Sequence, residues 1–171
     1  RAAKAAAQAQ LQKDIAAQSH ALALTTAAWV NRDLEIIDRM AESFGGAEMI
    51  RNVDPNAADM LRRAVASRPT WLDLILVRAD GTIVARGAKG RLPIDPGAAW
   101  ASQVLQDQKR LVIPLGGPSH GPQIVLIAYP LRREGRVVGA LGNLISLQAL
   151  QNALAALPLP EGSVIMVTDR E

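Results

Sequence analysis

Few residues in this sequence are of types that carry covalent or metal chemistry. There is no cysteine, which removes thiolate nucleophiles, disulfides and cysteine-ligated zinc or iron–sulfur sites. The two histidines, His20 and His120, are far apart in sequence and do not read as a metal-binding pair. Ser119 beside His120 invites a nucleophile–base reading. Adjacent residues on a turn do not set a hydroxyl against an imidazole, and no G-x-S-x-G elbow accompanies them. The expectation is therefore a chain without a catalytic centre, without a metal and without a cofactor.

What remains is a set of binding groups. Trp100 offers a flat apolar wall and one N–H donor, suited to roofing a ligand or to packing a helix on a sheet. Tyr129, the single tyrosine, has a hydroxyl for a cavity or for one buried hydrogen bond. Asn143 is a lone amide within ALGNLIS, and if buried it needs a partner from a ligand or from backbone. Arg91 and His120 stand in Gly/Pro-rich segments from which they could reach a small molecule. These five are the candidate ligand contacts. Gly87-Ala-Lys-Gly90 lacks the strand-loop-helix spacing of a phosphate loop. The arginines Arg132, Arg133 and Arg136 read as a solvated turn.

Composition narrows the partners. The 171 residues suggest about one domain with an extra element attached, and 49% hydrophobic with 20% charged residues is a globular balance. A net charge of +3 leaves no nucleic-acid footprint. At 3% aromatic residues there is no stacking platform for single strands either. No apolar stretch approaches the roughly 18 residues of a membrane span.

The elements that must position these groups follow from periodicity. Residues 1 to 44 lack Gly and Pro and are rich in Ala, Gln and Leu, predicting one helix of about 66 Å that Gly45-Gly46 stops. Leu11, Ile15, Leu22, Trp29 and Ile36 recur at four- and seven-residue steps, and Val30, Leu34, Ile37, Ala41 and Phe44 form a second stripe. Asp54-Pro55 opens a second helix that ends before Pro69. Trp71–Val77 and Thr82–Arg86 read as a hairpin around Asp80-Gly81. A loop follows, then a short helix over 98–108. Three more strands (111–115, 123–131 and 136–147) precede a closing helix over 148–157. Five consecutive strands with hairpin connections imply an antiparallel sheet, and hence an α+β fold. Gly139 and Gly142 inside a strand predict a bulge or the close approach of another backbone. Leu72–Asp80 also aligns without gaps on Ser163–Glu171, as though a second module of the same kind begins at the end of the sequence.

Together the long helix, the hairpin LILVRADGTIVARG, the segment YPLRREGRVVGALGNLISLQAL and the ending ALPLPEGSVIMVTDRE resemble a double-Cache sensor. Cache modules are PAS-like extracytoplasmic ligand-binding domains of bacterial histidine kinases, diguanylate cyclases and chemoreceptors. The resemblance covers nearly the whole sequence and is strongest from Ala128 to Leu150. It implies strand order 2-1-5-4-3, with the long helix leading towards a transmembrane segment. Its division would be 1–46 as signalling and dimerisation helix, 47–160 as the membrane-distal module and 161–171 as the first strand of a second. It also implies a small-molecule ligand, a homodimer formed through the first helix, and a periplasmic location in a membrane-anchored receptor. The sequence departs from the family where an Asp-Arg-x-Tyr/Trp-Phe pattern grips a ligand carboxylate. The matching stretch is Gly97-Ala98-Ala99-Trp100-Ala101, so Ala98 replaces the guanidinium fork and only the aromatic position survives. Amino-acid sensing of that type is not expected, and Arg91 is the nearest substitute in sequence. A ligand-free dimerisation and spacing module is the competing reading.

Overall fold

The computed structural model describes residues 2–46, 50, 55–90, 92, 95–116 and 123–155. The predicted N-cap Asp54, the candidates Arg91 and His120, and the terminal echo over 163–171 lie outside the described residues. The chain forms two compact units, Arg1–Ile37 and Asp38–Glu171.

Helix α1 runs Ala2–Gly46, 45 residues, ending at the glycine pair as its composition predicts. Leu11, Ile15 and Leu24 are exposed on it. Further along, Leu34 is half-buried and Ile37 and Ala41 are buried, in step with the second stripe. Helix α2, Pro55–Ala66, buries Ala57, Leu61 and Val65. These stand at four-residue steps and so share one face.

The remaining elements are β1 (Trp71–Arg78), β2 (Ile83–Arg86), α3 (Ala99–Asp107), β3 (Leu111–Leu115), β4 (Ile124–Arg133), β5 (Arg136–Ser146) and α4 (Leu147–Ala155). The five strands form one sheet in the order β2-β1-β5-β4-β3, every neighbouring pair antiparallel. The α+β expectation and the strand order hold. Turn chemistry explains both tight hairpins. Asp80 accepts from the Thr82 amide at 2.8 Å while Gly81 takes φ +84°. Glu134 and Gly135 both adopt positive φ, the pairing a two-residue hairpin needs to match strand twist.

Central strands β1 and β5 are buried along most of their length, because both faces of the sheet are covered there. Edge strand β3 alternates between half-buried and exposed residues, with Pro114 where a missing N–H does least harm. On the face towards α3, Ile75, Val77, Leu126, Ala128, Ala140 and Leu144 pack with Trp100, Ala101 and Val104.

The two strand glycines serve different ends. Pairing slips between Leu131↔Gly139 and Arg132↔Val137, which makes a bulge at Val138 and fits the prediction for Gly139. A Cβ on Gly139 would also lie 2.4 Å from the Val77 carbonyl oxygen. Gly142 departs from the prediction. The group pressing on it is the Trp100 indole rather than a second backbone, because Ala128 and Gly142 together leave a hollow in the sheet that a large ring fills.

Candidate functional site

Trp100 is buried, and its Nε1–H donates to the Gly97 carbonyl at 2.9 Å. Its one polar atom is thus satisfied within the turn that starts α3, and its ring is committed to Gly142 and the surrounding apolar cluster. Asn143 follows Gly142 in β5, so its side chain points to the opposite face of the sheet. Tyr129 pairs with Leu141 and therefore shares that opposite face with Asn143. The sequence candidates accordingly divide: Tyr129 and Asn143 stand together on one face, and Trp100 lies on the other.

Both members of the pair are polar groups in apolar surroundings. Asn143 is fully buried with neither amide oxygen nor nitrogen hydrogen-bonded, and the buried Tyr129 hydroxyl also makes no hydrogen bond. Burial, with the Asp38 carboxylate nearby, pushes the Tyr129 hydroxyl up to about 12 against the opposing pull of Arg110. Neither group is poised for acid–base work near neutral pH.

The strongest electrostatic feature was not singled out from sequence. Asp73 on β1 is fully buried. Its Oδ2 accepts from Arg86 Nε at 2.9 Å and Nη2 at 2.7 Å, and its Oδ1 accepts from the Gly87 amide at 3.1 Å. Burial pushes the Asp73 carboxyl above its ordinary range, opposed by the hydrogen bond and charge of Arg86 and by the Gly87 amide. Arg86 Nη1 reaches outward to Asp95 Oδ1 at 3.0 Å. Asp95 also accepts from the Gly97 amide at 3.0 Å, and that bond, helped by Arg86, holds its carboxyl below the usual value. A cleft of about 610 Å³ opens beside this network, lined by Arg62, Arg86, Ala88, Gly90, Leu92 and Asp95. The signal in the sequence was Asp73 itself, a carboxylate inside the apolar run WLDLILV that has to find a cation once buried.

Among the described residues, no group of three or more His, Asp or Glu side chains could hold a metal ion. No described helix is long and apolar enough to cross a membrane.

The sheet order, the crossover helix α3 and the long leading helix make this the architecture of a Cache-type sensor domain. Solved ligand-binding domains of bacterial chemoreceptors share it. That of the Pseudomonas aeruginosa amino-acid chemoreceptor PctC, in complex with GABA, is 21% identical with a TM-score of 0.56, over 76% of this chain and 58% of that one. That of Pseudomonas fluorescens CtaA, in complex with L-valine, is 25% identical with a TM-score of 0.53, over 75% and 58%. That of a Campylobacter jejuni chemoreceptor, in complex with L-norvaline, is 18% identical with a TM-score of 0.58, over 78% and 58%. The chain spans somewhat over half the length of these domains. No protein-family model matches the sequence, and no curated protein sequence matches it.

Proposed function

We propose that this chain is a small-ligand sensor module from the extracytoplasmic, periplasmic part of a membrane-anchored bacterial receptor, with no catalytic activity of its own. The observation that carries the reading is the β2-β1-β5-β4-β3 sheet with a 45-residue helix ahead of it, the arrangement found in the chemoreceptor domains. In the proposed division, residues 1–46 pass the signal, 47–160 form the membrane-distal module and 161–171 begin a second. Ligand binding would bias one arrangement of the sensor over another, which requires unequal affinity for the two. A chemotaxis, kinase or cyclase output is compatible with this module. The amino-acid ligands of the neighbours do not transfer directly, because Ala98 stands where their family pattern has an arginine.

One observation favours a ligand-free dimerisation and spacing module instead. The Trp100 N–H is used internally and its ring is packed into the sheet, so the aromatic residue the family pattern offers to a ligand is already occupied. A thermal-shift screen of the 171-residue chain against a metabolite library separates the two readings. A ligand that binds the folded state raises Tm with concentration. A library that leaves Tm unmoved throughout overturns the sensing reading and leaves the spacing module.

A further inference from the structure

The cleft between α2 and the β2–α3 connection holds a guanidinium whose position is fixed from behind. Asp73 takes the Nε and Nη2 side of Arg86 at 2.9 and 2.7 Å. The two-point contact from a fully buried carboxylate sets the plane of the fork. Nη1 is left facing the cleft, where it meets Asp95. The two carboxylates differ sharply, since the Asp73 side chain is 0% exposed and that of Asp95 is 65% exposed. An exposed ion pair is worth little, so Asp95 is a replaceable occupant of Nη1 while Asp73 is a permanent one. Across the cleft stands Arg62 on α2, paired only with Asp59 one turn earlier on the exposed side of the same helix. Ala88 and Leu92 add short apolar surface between the two arginines.

We propose that this cleft binds a small carboxylate anion, which displaces Asp95 from Arg86 Nη1 and is met from α2 by Arg62. The proposal rests on the sensing reading and names its ligand class. Within the cleft and its rim, Asp59, Asp73 and Asp95 already outnumber Arg62 and Arg86, so an anion enters by exchange with Asp95 rather than by addition. Exchange also supplies a route inward. Asp95 Oδ1 accepts from the Gly97 amide, and the Gly97 carbonyl accepts from Trp100 Nε1. The Trp100 ring in turn lies on Gly142 in central strand β5. Releasing Asp95 therefore loosens the turn that positions the indole on the sheet.

The test is an NMR titration of the 171-residue chain with sodium propionate at constant ionic strength, with sodium phosphate in parallel and sodium chloride as blank. Saturable movement of the Gly97 amide signal with propionate is expected. Asp95→Asn removes the competing charge and leaves Asp73 paired, so it tightens propionate binding about twofold to fivefold, the worth of an exposed ion pair. Arg62→Ala weakens binding by a similar factor. Absence of saturation in both wild type and Asp95→Asn overturns the site, as does equal affinity in all three proteins. Preference for phosphate over propionate overturns the carboxylate assignment. A library ligand that raises Tm equally in wild type, Asp95→Asn and Arg62→Ala leaves the sensing reading standing and removes this cleft from it.

Discussion

The indole of Trp100 rests directly on the backbone of Gly142: a Cβ there would fall 2.7 Å from Cζ2 and 2.8 Å from Cη2, with Leu126 Cδ1 at 3.1 Å. The ring is buried and held by its own N–H bond, so it has little room to retreat. Gly142→Ala is expected to cost about 1–3 kcal/mol, the usual range for overpacking a close-packed core. Urea unfolding followed by circular dichroism measures it. In a Trp100→Leu background the same substitution should cost clearly less, because the two changes share one contact. Equal costs in both backgrounds would remove the indole as the cause.

Gly139→Ala should be the more damaging of the two. Its Cβ would meet the Val77 carbonyl oxygen at 2.4 Å, and that atom belongs to the ladder between β1 and β5 rather than to a side chain. Relief requires a shift of the central strand pair at the Val138 bulge, for which no truncation elsewhere compensates. The expected result is a lower urea midpoint than for Gly142→Ala, or no cooperative transition at all. A midpoint matching wild type would show that the bulge yields freely.

Tyr129 is the only tyrosine in the chain, so its ionisation can be followed alone by absorbance near 295 nm. Burial and the neighbouring Asp38 carboxylate raise its hydroxyl to about 12, against an ordinary value of about 10. The unfolded chain gives up this proton first. Folding therefore loses stability as pH rises from about 10 towards 12, and Tyr129→Phe does not share that loss. A midpoint near the ordinary value would mean that the hydroxyl is open to water.

The Asp73–Arg86 pair should respond to pH in the opposite sense from a surface ion pair. Unfolded Asp73 releases its proton near 3.8, and burial raises the folded value above this. Between those two values the folded protein holds more protons, so this group's contribution to stability falls as pH rises through the window. Asp73→Asn does not titrate. The margin of wild type over that variant is therefore expected to be greatest below the ordinary value and to shrink as pH rises past it. Asp80 and Asp95, whose carboxyls are lowered chiefly by backbone amides, are present in both proteins and cancel. Thermal unfolding from pH 3 to 7 gives the comparison, and a margin that widens with pH would count against desolvation as the dominant cause.

The unequal legibility of fold and site has a physical origin. Turn chemistry at Asp80-Gly81 and Glu134-Gly135, the breaker Pro69 and the period change at Trp71 are local signals, and they located the elements and the antiparallel sheet. Which side chains meet is a matter of register, and register depends on single-residue parity. Trp100, Tyr129 and Asn143 all looked like lining for one cavity, yet Gly142 facing α3 turns Asn143 to the other side. The Asp73–Arg86–Asp95 network was legible only as a carboxylate in an apolar strand. Its partner comes from the neighbouring strand, offset from direct pairing because Ile75 is the residue opposite Arg86. Asp95 arrives from a loop with no periodic signal at all.

The first helix supplies the last prediction. Leu11 and Ile15 are 59% and 51% exposed on α1, and Leu22, Trp29 and Ile36 continue from Ile15 at seven-residue steps in the sequence. That is the spacing of a coiled-coil seam, and the alanine-rich surroundings let two backbones come close. An apolar stripe exposed on a helix of this length calls for a second apolar surface, and an identical copy related by a two-fold axis provides one of matching length and pattern. The isolated chain should associate weakly, because the membrane anchoring proposed for the receptor would raise local concentration and is missing in solution. Sedimentation equilibrium across a concentration series is expected to show reversible dimerisation, abolished by Ile15→Glu, which sets like charges against each other on the seam. A surface glutamate off the stripe, at Ala27, should leave association unchanged. A wild-type chain that stays monomeric at the highest concentration, or an Ala27→Glu variant that dissociates as readily as Ile15→Glu, would rule out pairing along this face.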